Sequence, residues 1–344
     1  GSWIAENQWP STNVAPRTYR LGYGVLSHTE TIAAEPTAVI PNSLRIGSTS
    51  GDTGYFGRDG GLPLDQRGDD ALSLVFDTEP LESPIDILGQ AVVNVALQVD
   101  QPKAVLVVRL NDVAPDGASS RVVFGICNLA LDREGAPDSE HSPSTQRTVE
   151  VQLPNTAYRF GKGHRIRLTF SGSYWPLIWP APQLAPMTLH PKQTRLSLPC
   201  RQTDSPESAV VFHTDPESEA PSPKARIEGA PLDRWSRHDI VTGTIRTGWH
   251  QPLTRIAFSE IGLEFAFETK AEFQITPDEP NSASGQFQHQ LLFTRPDSII
   301  EVVGTARLQS SVSDYHVFGR LEVRENDTLV FEREWQPVIS RKHS

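Results

Sequence analysis

The sequence predicts an all-β protein, a jelly-roll β-sandwich followed by a second antiparallel β domain that is either a sandwich or an open barrel. Apolar and polar residues alternate with a period of two along many short segments, which is typical of strands with one buried face. The 28 Pro and 24 Gly divide the 344 residues into short elements joined by turns. No stretch shows helical periodicity over more than about two turns.

The chain is expected to contain two domains and a linker. Gly1 and Ser2 are interpreted as a cloning remnant, and the chain as an excised fragment of a longer protein. Residues 3–200 are assigned to the jelly roll and residues 232–344 to the second β domain. Residues 201–231 are rich in Pro, Ser, Asp and Glu, and such a composition cannot bury enough apolar surface to fold alone, which predicts a linker.

The first domain opens with edge elements and a long loop. Residues 3–48 hold short apolar groups separated by Pro and Gly, and because Pro cannot donate a ladder hydrogen bond they are predicted as edge strands and connectors. Residues 47–70 are rich in Gly and Asp and are predicted to form a long ordered loop, a kind of segment that is usually functional. The strands that follow are predicted at 73–81, 92–99, 104–110, 121–129, 148–153, 166–170, 188–190 and 194–198.

One of these strands differs from its neighbours. The run at 104–110 is almost wholly apolar, which predicts a strand buried on both faces. The turn residues at 111–117 include Pro, Asp and Gly and predict a hairpin with the strand at 121–129.

The second domain repeats the alternation without a fixed internal period. Short connections between its apolar segments predict an antiparallel meander. Its strands are predicted at 240–245, 263–268, 271–275, 286–293, 299–308, 315–323 and 329–335.

Composition argues against several partners. The net charge of −11, with no cluster of Lys and Arg, argues against nucleic acid. No apolar run reaches the length of a membrane span, and no signal segment is recognised, so neither a membrane partner nor a targeting signal is predicted. Cys127 and Cys200 are expected to be reduced core residues, and a cytoplasmic location is expected.

The sequence gives only weak evidence for a catalytic or metal site. The segment 47–51 reads Gly-Ser-Thr-Ser-Gly, whose central Thr does not fit a serine nucleophile elbow. A triad assembled from His164, His190 or His213 has no specific pairing, and structural histidines are the simpler interpretation. Four loop carboxylates could supply calcium ligands but lack the spacing of a known calcium loop; they are Asp59, Asp65, Asp69 and Asp70. No catalytic residue, metal or cofactor is therefore predicted.

An aromatic loop follows the strand at 166–170. Tyr174, Trp175 and Trp179 lie in a segment whose Pro176 and Pro180 prevent a regular strand. These side chains could form a sugar-binding platform, fill the core, or build an apolar wall for a neighbouring domain or substrate. The sequence leaves the three alternatives open.

A series of ordered motifs between Trp3 and Pro199 resembles a known family. The motifs are Asp65-Gln-Arg67, Asp69-Asp70, Ser73-Leu-Val-Phe-Asp-Thr-Glu-Pro-Leu81, Ile87-Leu-Gly89, Arg109-Leu-Asn-Asp-Val-Ala-Pro-Asp-Gly117, Phe160-Gly-Lys-Gly-His-Arg165 and Ser173-Tyr-Trp-Pro176. In order and spacing this stretch is similar to the C-terminal domain of the CocE/NonD serine hydrolases. That group includes cocaine esterase, α-amino-acid ester hydrolase and X-Pro dipeptidyl-peptidase relatives.

The resemblance implies a supporting role for this chain. In the family a galactose-binding-like jelly roll packs on an N-terminal α/β-hydrolase domain that carries the Ser, Asp and His, and this chain holds none of that domain. The substrate would be a small acyl ester or peptide. By the resemblance, Tyr55 and Phe56 would contact the substrate. Tyr174 and Trp175, whose loop would lie towards the same domain interface, are also expected to bind the substrate.

Two other functions are kept as alternatives. A carbohydrate-binding module is suggested by the jelly-roll pattern together with Trp175 and Trp179. A homo-oligomerisation scaffold is suggested by the second β domain, because its edge strands could pair with another copy.

Overall fold

The alternating segments form strands throughout the computed structural model of this chain, which describes residues 3–29, 32–51, 61–131, 145–202 and 225–344. The described residues form two compact units. The first holds those up to residue 50, from 63 to 202 and 343–344, and the second holds 51, 61–62 and 225–342. Strands dominate both, which confirms the all-β prediction. No helix among the described residues is long and apolar enough to cross a membrane.

The first unit is built from two antiparallel sheets. Its strands are β1 (Val14–Leu21), β2 (Leu26–Ser27), β3 (Ala38–Ile40), β4 (Leu74–Asp77), β5 (Ile85–Gly89), β6 (Val92–Val99), β7 (Val105–Val113), β8 (Ser119–Asn128), β9 (Arg147–Gln152), β10 (Thr156–Phe160), β11 (Arg165–Ser171), β12 (Met187–Leu189) and β13 (Arg195–Arg201). The helix α1 (Arg67–Asp70) and a 3-10 turn (Pro191–Gln193) complete it.

Each sheet contributes one apolar face to a common core. A nine-stranded sheet runs β10-β5-β13-β6-β12-β3, with β1, β2 and β9 at its sides, and a four-stranded sheet runs β4-β11-β7-β8. Val93, Val95 and Leu97 of the larger sheet join Leu106 and Leu110 of the smaller sheet in one buried cluster. This is the two-layer arrangement of a β-sandwich.

Strand β7 is buried on both faces, as its apolar run predicts. Because side chains alternate along a strand, Leu106, Val108 and Leu110 face the core between the sheets. Val107 points the other way and packs with Ile46 and Tyr174, whose loops cover the outer face of the four-stranded sheet. The next outward positions are polar, Arg109 and Asn111, and both are fully buried.

The second unit is one long antiparallel sheet. Its strands are β14 (Ala225–Glu228), β15 (Asp233–His238), β16 (Ile245–Phe258), β17 (Leu263–Thr276), β18 (Glu279–Arg295), β19 (Ser298–Ser310), β20 (Asp314–Glu325), β21 (Thr328–Trp335) and β22 (Val338–Ser340), with a 3-10 turn at Ser259–Ile261. The order β14-β16-β17-β18-β19-β20-β21 is a meander, with β15 paired to β16 and β22 to β20. The open, barrel-like alternative is therefore the one observed.

The two faces of this sheet differ in polarity. One transverse row of paired residues is Trp249, Ala271, Phe287, Ala306, Gly319 and Trp335. The neighbouring row, which points to the opposite face, is Gly248, Glu272, Gln286, Arg307 and Phe318. The alternation that predicts the strands thus separates an apolar face from a polar one.

The predicted strand at 240–245 is wrong. Asp239 Oδ1 accepts hydrogen bonds from the backbone N of Val241 at 2.9 Å and of Thr242 at 3.0 Å, and Gly243 has a φ of 72°. These residues form the turn between β15 and β16, where Ile240 and Val241 are 88% and 90% exposed. Local turn chemistry outweighs the β propensity of two apolar residues.

Other strand boundaries also differ. The segments predicted at 263–268 and 271–275 form the single strand β17. Strand β16 contains Pro252 and tolerates it because the register shifts between Gln251 and Thr254, as at a β-bulge. Strand β14 lies inside the segment predicted as a linker and pairs with β16.

Candidate functional site

The loop that the sequence singles out is closed at a narrow neck. The backbone N of Leu64 donates to the carbonyl O of Thr49 at 3.0 Å. The Gln66 side chain donates from Nε2 to the same Thr49 O at 3.2 Å and to Leu64 O at 2.7 Å. The chain therefore enters the loop at Thr49 and leaves it at Leu64, and these two residues lie side by side. Tyr55 and Phe56 belong to the intervening segment and lie outside the described residues.

Helix α1 holds the outgoing side of the neck. Asp69 Oδ2 accepts hydrogen bonds from the backbone N of Gly47 at 3.1 Å and from Thr49 Oγ1 at 3.0 Å. Burial raises the pKa of the Asp69 carboxyl, and the nearby guanidinium of Arg109 opposes part of that rise. A buried carboxylate with specific donors fixes the backbone at this point.

The aromatic loop supports the same segment. The backbone N of Trp175 donates to Ile46 O at 2.8 Å. Gly47 has a φ of 112°, and a Cβ at this position would lie 2.3 Å from the carbonyl O of Trp175. Only glycine accepts both the left-handed backbone and the close approach. We call residues 46–50, 64–73 and 173–178 together the loop junction.

Arg109 is the centre of the loop junction. Its guanidinium donates from Nη1 to Gln66 Oε1 at 3.2 Å, from Nη2 to Ser73 Oγ at 2.7 Å, and from Nε to Thr169 Oγ1 at 3.1 Å. It also lies 3.7 Å from an Asp69 oxygen and 3.3 Å from an Asp70 oxygen. The side chains of the ion pair are almost completely buried. A charge buried this deeply is tolerated only because each of its groups is paired.

Asp70 ties the junction to three strands. Its carboxylate accepts hydrogen bonds from Asn111 Nδ2 at 2.9 Å, Ser119 Oγ at 2.7 Å and Arg167 Nη1 at 3.1 Å. Arg167 also makes a two-point contact with Asp77 at 2.7 Å, and these carboxylates raise its pKa. The loop junction is thus fixed to β7, β8 and β11 by charged hydrogen bonds.

The structure brings Tyr174 into this junction. Its hydroxyl accepts a hydrogen bond from Arg121 Nη1 at 2.5 Å and lies 3.4 Å from Gln66 Oε1. Its ring packs edge-on against Phe124, with centroids 5.3 Å apart. Burial raises the pKa of the Tyr174 hydroxyl, which keeps it protonated.

Trp175 is buried beside it. Its side chain is 2% exposed and meets the ring of Trp179 edge-to-face at 5.2 Å. Such a ring offers no open stacking platform within this chain. For Tyr174 and Trp175 the described contacts are therefore made within the first unit, and their contact with substrate stays a prediction.

The histidines form no triad among the described residues. His164 Nδ1 lies 2.9 Å from Asp112 Oδ1, and Asp112 also accepts a hydrogen bond from the Tyr158 hydroxyl at 2.9 Å. His190 Nε2 lies 3.3 Å from Gln98 Oε1. His213 lies outside the described residues.

The acidic loop residues are occupied by protein donors rather than arranged around a cation. Asp65 pairs with Arg67 at 2.7 Å, and Asp69 and Asp70 face Arg109. Asp59 lies outside the described residues, and no group of His, Cys, Asp or Glu suited to a metal ion occurs in the part of the chain that is described.

Sequence reasoning did not assign the network around Arg109, although its residues occur in the quoted motifs. The signal was available, because a lone Arg and Asn inside a strand buried on both faces must have partners. What the sequence could not supply is the identity of those partners, which come from segments 43 and 60 residues away in the chain.

Comparisons with known proteins agree with this architecture. A family model described as the X-Pro dipeptidyl-peptidase C-terminal non-catalytic domain matches residues 1–219. No curated protein matches the chain.

Solved structures share parts of the chain at low identity. An aminopeptidase from a marine sediment archaeon, Thaumarchaeota archaeon, is 20% identical, with a TM-score of 0.49 over 58% of this chain and 38% of its own. An α-amino acid ester hydrolase is 22% identical, with a TM-score of 0.45 over 54% of this chain and 36% of its own. A CocE/NonD family hydrolase from Staphylococcus aureus is 12% identical, with a TM-score of 0.41 over 58% and 39%.

This chain therefore spans well under half the length of those proteins. The family model, by contrast, covers more than half of the chain and the whole described sandwich. On that match, the chain belongs to the X-Pro dipeptidyl-peptidase C-terminal non-catalytic domain family.

Proposed function

We propose that this chain is the non-catalytic C-terminal part of an α/β-hydrolase of the acyl esterase or X-Pro dipeptidyl-peptidase type. In the proposal it packs on the catalytic domain and shapes the substrate pocket. The observation that carries the proposal is the closed neck, in which Thr49 and Leu64 are hydrogen-bonded and Asp69 holds Gly47. A family description as non-catalytic agrees with a supporting role.

The proposed mechanism is positioning. The catalytic domain supplies the nucleophilic Ser, which attacks the acyl carbon, and this chain supplies apolar side chains beside the acyl group. Tyr55 and Phe56 are assigned that role. A pocket residue improves selectivity only when its support is rigid, and the buried charges around Arg109 provide a rigid support for both ends of the loop.

Tyr174 and Trp175 have a different place in the proposal. Their loop braces Gly47 from the sandwich side, and the hydroxyl of Tyr174 lies beside Gln66. We assign them to orienting the loop, with a direct substrate contact as the sequence expectation to be tested. The enzyme is placed in the cytoplasm, an expectation with which the two free thiols agree.

The direct test uses the full-length enzyme. Tyr55→Ala and Phe56→Ala should each change the ratio of kcat/KM between a bulky and a small acyl ester by about tenfold, because an apolar pocket discriminates by the area it buries. Phe331→Ala, an exposed aromatic of the second sheet, is the matched control and should leave the ratio unchanged. An unchanged ratio in both loop variants would reject the pocket role.

A second test separates support from catalysis. The chain alone, incubated with a p-nitrophenyl ester, should show no turnover above background, while the full-length enzyme hydrolyses it. Enzyme-like turnover by the chain alone would contradict the proposal, since the attacking Ser is assigned to another domain.

A further inference from the structure

The polar face of the second sheet contains an open cleft of about 610 Å³. In its central row five residues lie opposite one another on successive strands from β15 to β19. They are Trp235, Gly248, Glu272, Gln286 and Arg307. Gln274 and Gln309 belong to the next row, which points to the same face. The volume is within the range of small-ligand sites. The family match ends at residue 219, before this sheet begins.

Five hydrogen-bonding side chains of the cleft lack partners among the described residues. In the part of the chain that is described, no hydrogen bond or ion pair to another residue is made by the side chains of Glu272, Gln274, Gln286, Gln288 and Gln309. They lie side by side on one surface, so a ligand could meet several of them together.

Some polar groups on the same face are paired, including His250 and Lys270, which also line the cleft. Glu268 Oε1 lies 2.6 Å from His250 Nε2 and 2.8 Å from Lys270 Nζ. Gln290, on the same strand as Gln286, donates to Glu301 Oε1 at 2.6 Å. The five unpaired side chains therefore lie together in the cleft, beside groups that are paired.

One wall of the cleft is an indole ring held in a fixed position. A Cβ at Gly248 would lie 2.6 Å from a ring atom of Trp235, so the missing side chain is what lets the indole lie against the sheet. The guanidinium of Arg237 covers the ring at 4.7 Å from its centroid. Trp235 thus forms one end of the cleft.

We propose that this cleft binds a neutral carbohydrate. Side-chain amides present a donor and an acceptor together, which suits hydroxyl groups that also do both. The unpaired charges of the central row are one of each sign, Glu272 and Arg307, and Lys270 is neutralised by Glu268. A strongly charged ligand therefore gains little, and the predominantly polar lining disfavours an apolar peptide or a lipid.

The test is binding of the whole chain to an array of neutral gluco-, manno-, xylo- and galacto-oligosaccharides, with the hit titrated by calorimetry. Gln286→Ala and Gln309→Ala should each weaken binding by about tenfold or more, because each removes hydrogen bonds to the ligand. Gln290→Ala is the matched control and should bind as the unchanged chain does. Both cleft residues are exposed, so urea unfolding should show that their variants remain folded.

Three results with oligosaccharides would overturn the proposal. They are the absence of binding to every oligosaccharide, equal weakening by Gln290→Ala, and undiminished binding by both cleft variants. Binding to a peptide array instead would also overturn it. Hydrolysis of a small ester by the full-length enzyme should be unaffected by Gln286→Ala, which keeps this test separate from that of the loop.

Discussion

At the scale of single residues, the loop junction depends on one buried guanidinium. Arg109 contacts Gln66, Ser73 and two carboxylates without solvent contact, and one of these carboxylates, Asp69, holds the other side of the neck at Gly47. Such an arrangement favours one geometry strongly, because every alternative leaves a charge buried without a partner.

Removing that guanidinium should therefore be costly. We expect Arg109→Met to lower the free energy of unfolding by about 3–5 kcal/mol, since Asp69 stays buried without a cation and Asp70 keeps only Arg167. Urea unfolding of the chain measures this. Arg320→Met removes exposed pairs with Glu322 and Glu332 and should cost less than about 1 kcal/mol. A similar small cost for Arg109→Met would show that the network is not the support we describe.

Glu6 predicts a pH dependence. Its carboxylate accepts hydrogen bonds from Arg201 Nε at 2.5 Å and from Ser11 Oγ at 2.7 Å, and these donors lower its pKa from 4.5 to about 2. The stabilisation is therefore complete above pH 4.5 and is lost as the pH falls towards 2. Glu6→Gln should lower the Tm at pH 6 by about 4 °C, and the difference from the unchanged chain should shrink by pH 2. A difference independent of pH would contradict this assignment.

At the scale of elements, the neck requires a glycine. Gly47→Ala should lower the free energy of unfolding by about 2 kcal/mol, because it adds backbone strain and a contact with Trp175 O. In the full-length enzyme it should also shift acyl preference in the same direction as Tyr55→Ala. Gly68→Ala is the control, since its Cβ would meet nothing within 4 Å and α1 gains a better helix former. Equal effects of the two substitutions would argue against the neck.

Elements also show what the sequence could and could not predict. The apolar run at 104–110 predicts burial on both faces, and β7 confirms it, because periodicity reports directly on burial. The turn at 239–244 was missed, since a side-chain hydrogen bond from Asp239 and a left-handed Gly243 decide it locally. Within the candidate site, the meeting of Thr49 with Leu64 follows from long-range packing that no local pattern encodes.

At the scale of the whole molecule, the two units differ in how they bury apolar surface. The first unit encloses a core between two sheets, with β6 and β7 at its centre. In the described part of the second unit, the buried apolar side chains are Ile245, Ala266, Ala271, Ile275 and Ala283. Larger apolar residues of that sheet stay partly exposed, including Phe287, Phe331 and Trp335. Homo-oligomerisation through this sheet stays a prediction from its sequence.

This difference predicts unequal local stability. Amide hydrogens open more readily where few apolar contacts hold the strands together. Hydrogen exchange of the whole chain, read by mass spectrometry and corrected for intrinsic rates, should show β19 exchanging at least about tenfold faster than β7. Both strands are central in their sheets, so an edge effect does not enter the comparison. If β19 were protected as strongly as β7, the sheet would be held by contacts beyond those of the described residues, and its apolar face would be covered in solution.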